Sequence, residues 1–255
     1  MTQRNKTYFL SDFHLGAGYI ENPRAHELRI VEMLESFAGD AAQIYLMGDI
    51  LDYWFEYRTV VPRGFVRFFG CLAKLVDSGI KVTWIVGNHD IWLFDYLKTE
   101  LGIEIIDGSL IKEIDGKRFY LAHGDALGKH LNFSFRCIRS IFRNRFCQKL
   151  YAGIHPRWTV GFAHKWSSGS RKKNDSRYPA WRGNDVEPSI IFAKEYLANI
   201  DSTINYFILG HRHVAVVEQL SDSCTFVLLG ECYSSFNYAV WDGKILKLEC
   251  FIANS

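Results

Sequence analysis

Short apolar runs, rich in β-branched and aromatic residues, alternate along the chain with stretches whose apolar positions recur every three or four residues. The runs Tyr8–Leu10, Ile44–Met47, Val82–Val86, Phe119–Ala122 and Tyr206–Leu209 carry no polar alternation, which predicts strands buried on both faces. Helical spacing predicts helices over Pro23–Phe37, Arg63–Asp77, Ile91–Leu101 and Pro188–Asn199. Beyond residue 213 the pattern changes to consecutive strands: Val214–Leu220, Thr225–Leu229, Tyr238–Trp241 and Ile245–Phe251. Residues 105–114 read as a hairpin element closing on Asp115-Gly116. Alternating strands and helices imply βαβ units, and consecutive strands imply antiparallel additions. The expected architecture is an α/β sandwich, two sheets flanked by helices in four αββα layers.

Residues 126–177 break this alternation. Leu131, Phe135, Ile138, Phe142 and Phe146 fall on one face of a helix, with Arg136, Arg139, Arg143 and Lys149 on the other. Aromatics follow (Trp158, Phe162, Trp166), then a polar stretch from Ser167 to Arg177. The pattern predicts a helical cap inserted between two core strands, with residues 1–125 and 178–255 forming the core.

Charge sharpens that division. The chain has 255 residues and a formal net charge of only +2. Residues 126–177 hold twelve Lys or Arg against one acid, Asp175, a net +11, and leave the rest at −9. A cationic segment on an acidic body implies an anionic partner: a phosphate-bearing substrate, a nucleic acid or an anionic lipid surface. With 48% apolar and 23% charged residues, the composition excludes disordered and fibrous classes. No apolar run nears the roughly 18–20 residues of a membrane-spanning helix, and no signal-type segment opens the chain, so a protein kept inside the cell is expected. The six cysteines show no C-x-x-C pair, as expected for reduced thiols.

The candidate chemistry lies where the strands end. The first run ends Ser11-Asp12-Phe13-His14, the second Gly48-Asp49, the third Gly87-Asn88-His89-Asp90, the fourth His123-Gly124-Asp125 and the fifth Gly210-His211-Arg212-His213. Functional groups of open α/β sheets gather beyond the carboxyl ends of the strands. Carboxylate, amide oxygen and imidazole together suit a pair of divalent transition metals such as Mn²⁺, Fe²⁺ or Zn²⁺. A carboxylate such as Asp49, at a tight glycine turn, can bridge two ions. His26, His130, His155 and His164 lie outside the strand ends and read as ordinary histidines.

These five motifs resemble the pattern of the calcineurin-like metallophosphoesterase superfamily: D-x-H, G-D, G-N-H-[DE], H-G and G-H-x-H, here running from Asp12 to His213. The resemblance implies one metal on Asp12, His14, Asp49 and His213, and a second on Asp49, Asn88, His123 and His211. It implies that His89 contacts the phosphate and protonates the leaving oxygen, with Asn88 and His211 orienting that phosphate. Within the superfamily the chain looks most like the UDP-2,3-diacylglucosamine diphosphatases of lipid A synthesis. The carriers of that likeness are Gly48-Asp49-Ile50-Leu51-Asp52-Tyr53-Trp54, His123-Gly124-Asp125 and the helical insertion that follows.

That second likeness implies hydrolysis of a sugar–pyrophosphate–nucleoside to UMP and diacylglucosamine 1-phosphate, with two divalent ions, Mn²⁺ foremost. Asp125 and the cap residues Arg171, Lys172, Lys173 and Arg177 would meet the substrate, the apolar cap face would shelter acyl chains, and the protein would sit on the cytoplasmic face of the inner membrane. The chain departs from the best-known branch in having His89 where that branch has arginine, and Arg212 where it usually has threonine. A phosphodiesterase or nuclease using the same metals, and a non-catalytic scaffold on the same fold, are the alternative readings. The bulky apolar residues of the cap exceed what tracking a nucleic-acid backbone requires, and the motifs lack no ligand.

Overall fold

The computed structural model describes residues 4–127, 133–159, 161, 181, 183 and 186–253. Four parallel strands, β1 (Lys6–Leu10), β2 (Ala41–Leu46), β3 (Lys81–Ile85) and β4 (Glu104–Ile106), lie side by side in one sheet. A second sheet is built on β6 (Lys117–Ala122), β7 (Tyr206–Leu209) and β9 (Cys224–Leu229), also mutually parallel. Antiparallel strands finish both: β10 (Asn237–Trp241) and β11 (Leu246–Cys250) beside β1, β5 (Leu110–Ile114) beside β6, and β8 (Ala215–Ser221) beside β9. The strand orders are β11-β10-β1-β2-β3-β4 and β5-β6-β7-β9-β8.

The two-residue period of a strand sends alternate side chains to opposite faces. Phe9, Tyr45, Met47, Phe119, Leu121, Ile208 and Val227 interdigitate between the two sheets. Their neighbours Tyr8, Leu10, Ile44, Leu46 and Trp84 point outward, onto α1 (Pro23–Ser36) and α2 (Val66–Asp77). On the other side Tyr120, Phe207, Leu209, Phe226 and Leu228 pack against α6 (Pro188–Asn199). The result is the expected four-layer α/β sandwich. It also explains why the central strands read as continuous apolar runs: both of their faces are buried.

Differences from expectation have local causes. The α2 helix starts at Val66 rather than Arg63 because Gly64 (φ 116) and Phe65 (φ 59) are left-handed. Its first amides are held from another helix: Glu27 Oε1 accepts from the N–H of Arg67 at 3.0 Å and of Phe68 at 3.1 Å. Likewise α3 spans only Tyr96–Leu101, since Glu56 Oε2 accepts the amides of Phe94, Asp95 and Tyr96. The hairpin expected over 105–114 divides between the sheets: β4 pairs with β3, and β5 crosses to pair with β6. The turn at Asp115-Gly116 does form, with both residues at positive φ (49° and 73°), as a two-residue hairpin connection requires.

Within the described part of the insertion, one long amphipathic helix is replaced by two short ones, α4 (Phe133–Arg143) and α5 (Arg145–Ala152). Asn144 breaks the run, its side chain accepting the amides of Phe146 and Cys147 as the cap of α5. Phe142 therefore faces the core, its ring 5.3 Å from that of Trp92, while Phe146 opens a new helix and is exposed. Tyr151 stacks on Trp92 at 5.0 Å and its hydroxyl meets that of Tyr53 at 3.1 Å, seating the insertion on the core. Arg143 holds Asp107 through Nε and Nη2, and Arg139 holds Asp125. Leu131, Phe162 and Trp166 lie outside the described residues, as do Arg171, Lys172, Lys173 and Arg177. No helix among the described residues is long and apolar enough to cross a membrane.

Candidate metal centre

The carboxyl ends of β1, β2 and β3 lie in a row in the first sheet, and those of β6 and β7 lie together in the second. Their five motifs meet across the gap between the sheets. Asp12 N donates to Gly48 O at 3.0 Å and His14 N to Asp49 O at 2.9 Å, joining the first two loops. His211 N donates to Asp12 Oδ2 at 2.9 Å and Gly210 N to His123 O at 2.8 Å, bringing in the second sheet.

Donor atoms converge in three overlapping groups: Asp12, His14 and His213; His14, Asp49 and His89; Asp49, His123 and His211. Nε2 of His14 and Nε2 of His213 are 3.1 Å apart, and Asp12 Oδ1 lies 3.1 Å from the latter and 3.6 Å from the former. Asp49 Oδ2 is 3.3 Å from His123 Nε2, 3.9 Å from His14 Nε2 and 4.0 Å from His89 Nε2, so it faces both halves. Asn88 Oδ1 joins at 3.2 Å from His123 Nε2.

The donor set fits divalent metal. Ligands about 2.0–2.2 Å from one ion lie some 3–3.5 Å from each other, close to the 3.1–3.6 Å within the Asp12, His14 and His213 group and the 3.2–3.3 Å from His123 to Asn88 and Asp49. Asp12 Oδ1 is a buried oxygen without a hydrogen-bond partner, although two imidazoles face it. Leaving such an oxygen unpaired costs free energy, and a cation removes that cost. The rings are also turned correctly. His123 Nδ1 meets Met47 O at 2.9 Å, His89 Nδ1 meets Asp52 O at 3.0 Å and His213 Nδ1 meets Tyr233 Oη at 3.3 Å, so each Nε2 points inward.

Backbone strain gathers at the same place. Five of the donors, Asp12, His14, Asp49, His211 and His213, have φ between 48° and 69°, in the left-handed region. Each such non-glycine residue costs about 1 kcal/mol or more, which survives only where surrounding contacts force it. Gly87 and Gly210 are forced by approach rather than by φ. A Cβ on Gly87 would run into Asp49 Oδ1 and N, and one on Gly210 into Ser11 Oγ and Asp12 Oδ2.

Electrostatics at the site follow from burial opposed by pairing. Burial raises the carboxyls of Asp12 and Asp49, but the imidazoles around them outweigh it and hold both well below the ordinary range. Burial lowers His123, yet Asp49 beside it carries this ring well above its usual value. His211 is pushed down to about 4 by burial and by His123. Asp90 rises to about 6, through burial and the nearby charge of Asp49.

Several residues support the donors without being read as ligands in the sequence. Asp90 accepts from Gly87 N, Ile50 N and Trp84 Nε1, tying the second and third loops together. Asp52 Oδ1 is 3.5 Å from His14 Nδ1 and 3.4 Å from His89 Nδ1. Glu231, buried after β9, accepts the amides of Tyr233, Ser234 and Ser235 and thereby presents Tyr233 to His213. Adjacency of β9 to β7 makes it a sixth contributing strand, and Glu231-Cys232-Tyr233 resembles none of the other motifs. Asp125 is drawn to Arg139, and Arg212 to Glu187.

Comparison of the sequence with known families and proteins agrees with this chemistry. A family model described as calcineurin-like phosphoesterase matches residues 6–215. The UDP-2,3-diacylglucosamine hydrolase of Porphyromonas gingivalis is 43% identical over 256 residues, covering 96% of this chain and 97% of that protein. A protein of the same name from Ralstonia nicotianae is 29% identical over 215 residues, covering 81% of this chain and 76% of its own. Among solved structures, a dimetal phosphatase from Danio rerio aligns with a TM-score of 0.46 at 13% identity, covering 97% of this chain and 96% of that one.

Proposed function

The chain belongs to the calcineurin-like phosphoesterase family and is a metal-dependent hydrolase, and from that premise we propose that it cleaves the pyrophosphate of UDP-2,3-diacylglucosamine to UMP and diacylglucosamine 1-phosphate. The observation that carries the reaction is the position of Asp49, whose Oδ2 lies within 4.0 Å of imidazoles from both halves of the donor set. The substrate rests on the likeness, along nearly the whole chain, to the Porphyromonas gingivalis protein.

Asp12, His14, Asp49 and His213 would hold one ion; Asp49, Asn88, His123 and His211 the other. Bound there, two divalent ions, for which Mn²⁺ suits the mixed oxygen and imidazole donors, would supply Lewis acidity and lower the pKa of a water so that its hydroxide is available to attack phosphorus. The chain's own groups supply position. His89, with Nδ1 engaged by Asp52 and Nε2 turned toward the donors, would meet the phosphate and give its proton to the leaving oxygen. Asn88 and His211 would orient that phosphate, and Asp125, Arg171, Lys172, Lys173 and Arg177 would meet the substrate, the cations its phosphates.

Two further features support a lipid substrate. A cavity of about 510 Å³ is lined by Leu15, next to the donor His14, by Tyr53, Val61 and Phe65, and by Pro156, with Arg63 and Arg157 also on its wall. Its size and mostly apolar walls suit an acyl chain. The outer side of the insertion exposes Ile141, Phe146 (69%), Leu150 and Trp158 (71%) among Arg145, Lys149 and Arg157. Apolar residues interleaved with cations are the composition of a surface that rests on anionic lipid at the cytoplasmic face of the inner membrane.

The test is Mn²⁺-supplemented hydrolysis of UDP-diacylglucosamine, of UDP-glucosamine without acyl chains and of a generic phosphodiester. Preference for the diacyl substrate is expected. Equal rates on all three would remove the lipid substrate and leave the metallophosphoesterase.

A further inference from the structure

Arg212 stands between the donors His211 and His213, and its guanidinium forks onto Glu187: Nε to Oε1 at 2.8 Å and Nη2 to Oε2 at 3.0 Å. Glu187 is the residue preceding α6, where a carboxylate ordinarily accepts the first amides of its own helix. Here it makes no such bond. Buried to 2% exposure, it accepts from Arg212 and from Ser189 Oγ instead. A buried charge of this kind persists where it is paired, and the bidentate fork is the geometry that pairs it best.

We propose that Arg212 is a positioning residue whose ion pair with Glu187 fixes the loop 210–213, so that His213 reaches one donor cluster and His211 the other. The inference rests on reading those histidines as metal ligands. Its support is the conformation of the loop itself. His211 (φ 69) and His213 (φ 52) are both left-handed, and non-glycine residues stay there only when contacts over-determine them. The backbone amides of Gly210, His211 and Arg212 are tied to His123 O, Asp12 Oδ2 and Gly210 O, and beyond them the ring of His213 meets Tyr233 Oη through Nδ1. The Arg212–Glu187 fork secures the loop from outside.

The anchor also has a meaningful address. Glu187 opens α6, the helix packed on the outer face of the second sheet, so the tie joins the donor loop to that helix. Arg139 of α4 likewise holds Asp125, two residues beyond the donor His123.

The experiment is calorimetric titration of the metal-stripped full chain with Mn²⁺, beside thermal unfolding of the same samples. Arg212→Gln and Glu187→Gln are each expected to weaken Mn²⁺ binding by about 10–100-fold, the usual effect of removing an outer-sphere support. The double variant, which leaves no unpaired buried charge, should be no weaker than either single one. Arg212→Lys should recover part of the affinity. Arg118→Gln, which breaks the ion pair with Asp201 at the other end of β6, should bind as the parent does. Variants that melt earlier but take up Mn²⁺ with unchanged affinity would overturn the proposal and leave Arg212 a structural residue. If the single variants do not fold, the double variant decides by the same criterion. A parent chain that binds fewer than two ions would instead overturn the metal assignment itself.

Discussion

Asp52 holds His89 twice, its carbonyl oxygen 3.0 Å from Nδ1 and its carboxylate Oδ1 3.4 Å from the same nitrogen. The same carboxylate oxygen lies 3.5 Å from Nδ1 of His14. One buried side chain therefore sets the ring orientation of a metal donor and of the histidine beside it, and turns both Nε2 atoms inward.

Replacing Asp52 with asparagine keeps its shape and removes its charge. Turnover should fall about 10–100-fold, in line with other groups that orient metal-bound histidines, while the melting temperature stays near that of the parent. Steady-state kinetics with metal analysis of the purified variant check this. Unchanged turnover would show that the Asp52 carbonyl suffices.

Gly87→Ala should abolish metal uptake. The added Cβ has no room beside Asp49 Oδ1 and N, so either the third strand-end loop or the central carboxylate must move. Gly39→Ala meets nothing within 4 Å and should leave metal content and activity as they are. Metal analysis of both variants is the measurement.

Phe146→Ser combined with Leu150→Ser should abolish co-sedimentation with vesicles containing anionic phospholipid. Both side chains are exposed on α5, so their loss should leave thermal unfolding unchanged. Retained binding would move the contact away from α5.

Burial pushes the thiol of Cys71 up to about 12 and that of Cys224 up to about 11. A raised value keeps the thiol protonated and unreactive until the pH approaches it. At pH 8 an alkylating reagent should therefore modify exposed Cys250 on the native protein, and Cys71 and Cys224 only after unfolding. Peptide mass mapping reads the order, and early labelling of Cys71 would contradict its burial.

Much of the centre was legible because its signals are local. Each donor follows directly on an apolar run, and the runs stood out because strands buried on both faces carry no alternation. The helix ends were less legible. Nothing near Val66 or Tyr96 announces that Glu27 and Glu56, some forty residues earlier, will hold their first amides. In the insertion the three- and four-residue spacing ran on past Asn144, whose side chain turned to cap a second helix and sent Phe146 outward.

By itself, then, the sequence determined the candidate donors from Asp12 to His213, the layered α/β class and the cationic stretch 126–177, since all three are properties of short stretches of chain. Only the tertiary structure decided which histidine shares a cluster with which carboxylate, that Asp52 serves two rings, that Tyr233 backs His213, and that Arg212 is spoken for by Glu187. These are contacts between groups tens of residues apart or on different sheets. Their distances are set by how two twisted sheets pack face to face, which no local pattern of residues encodes.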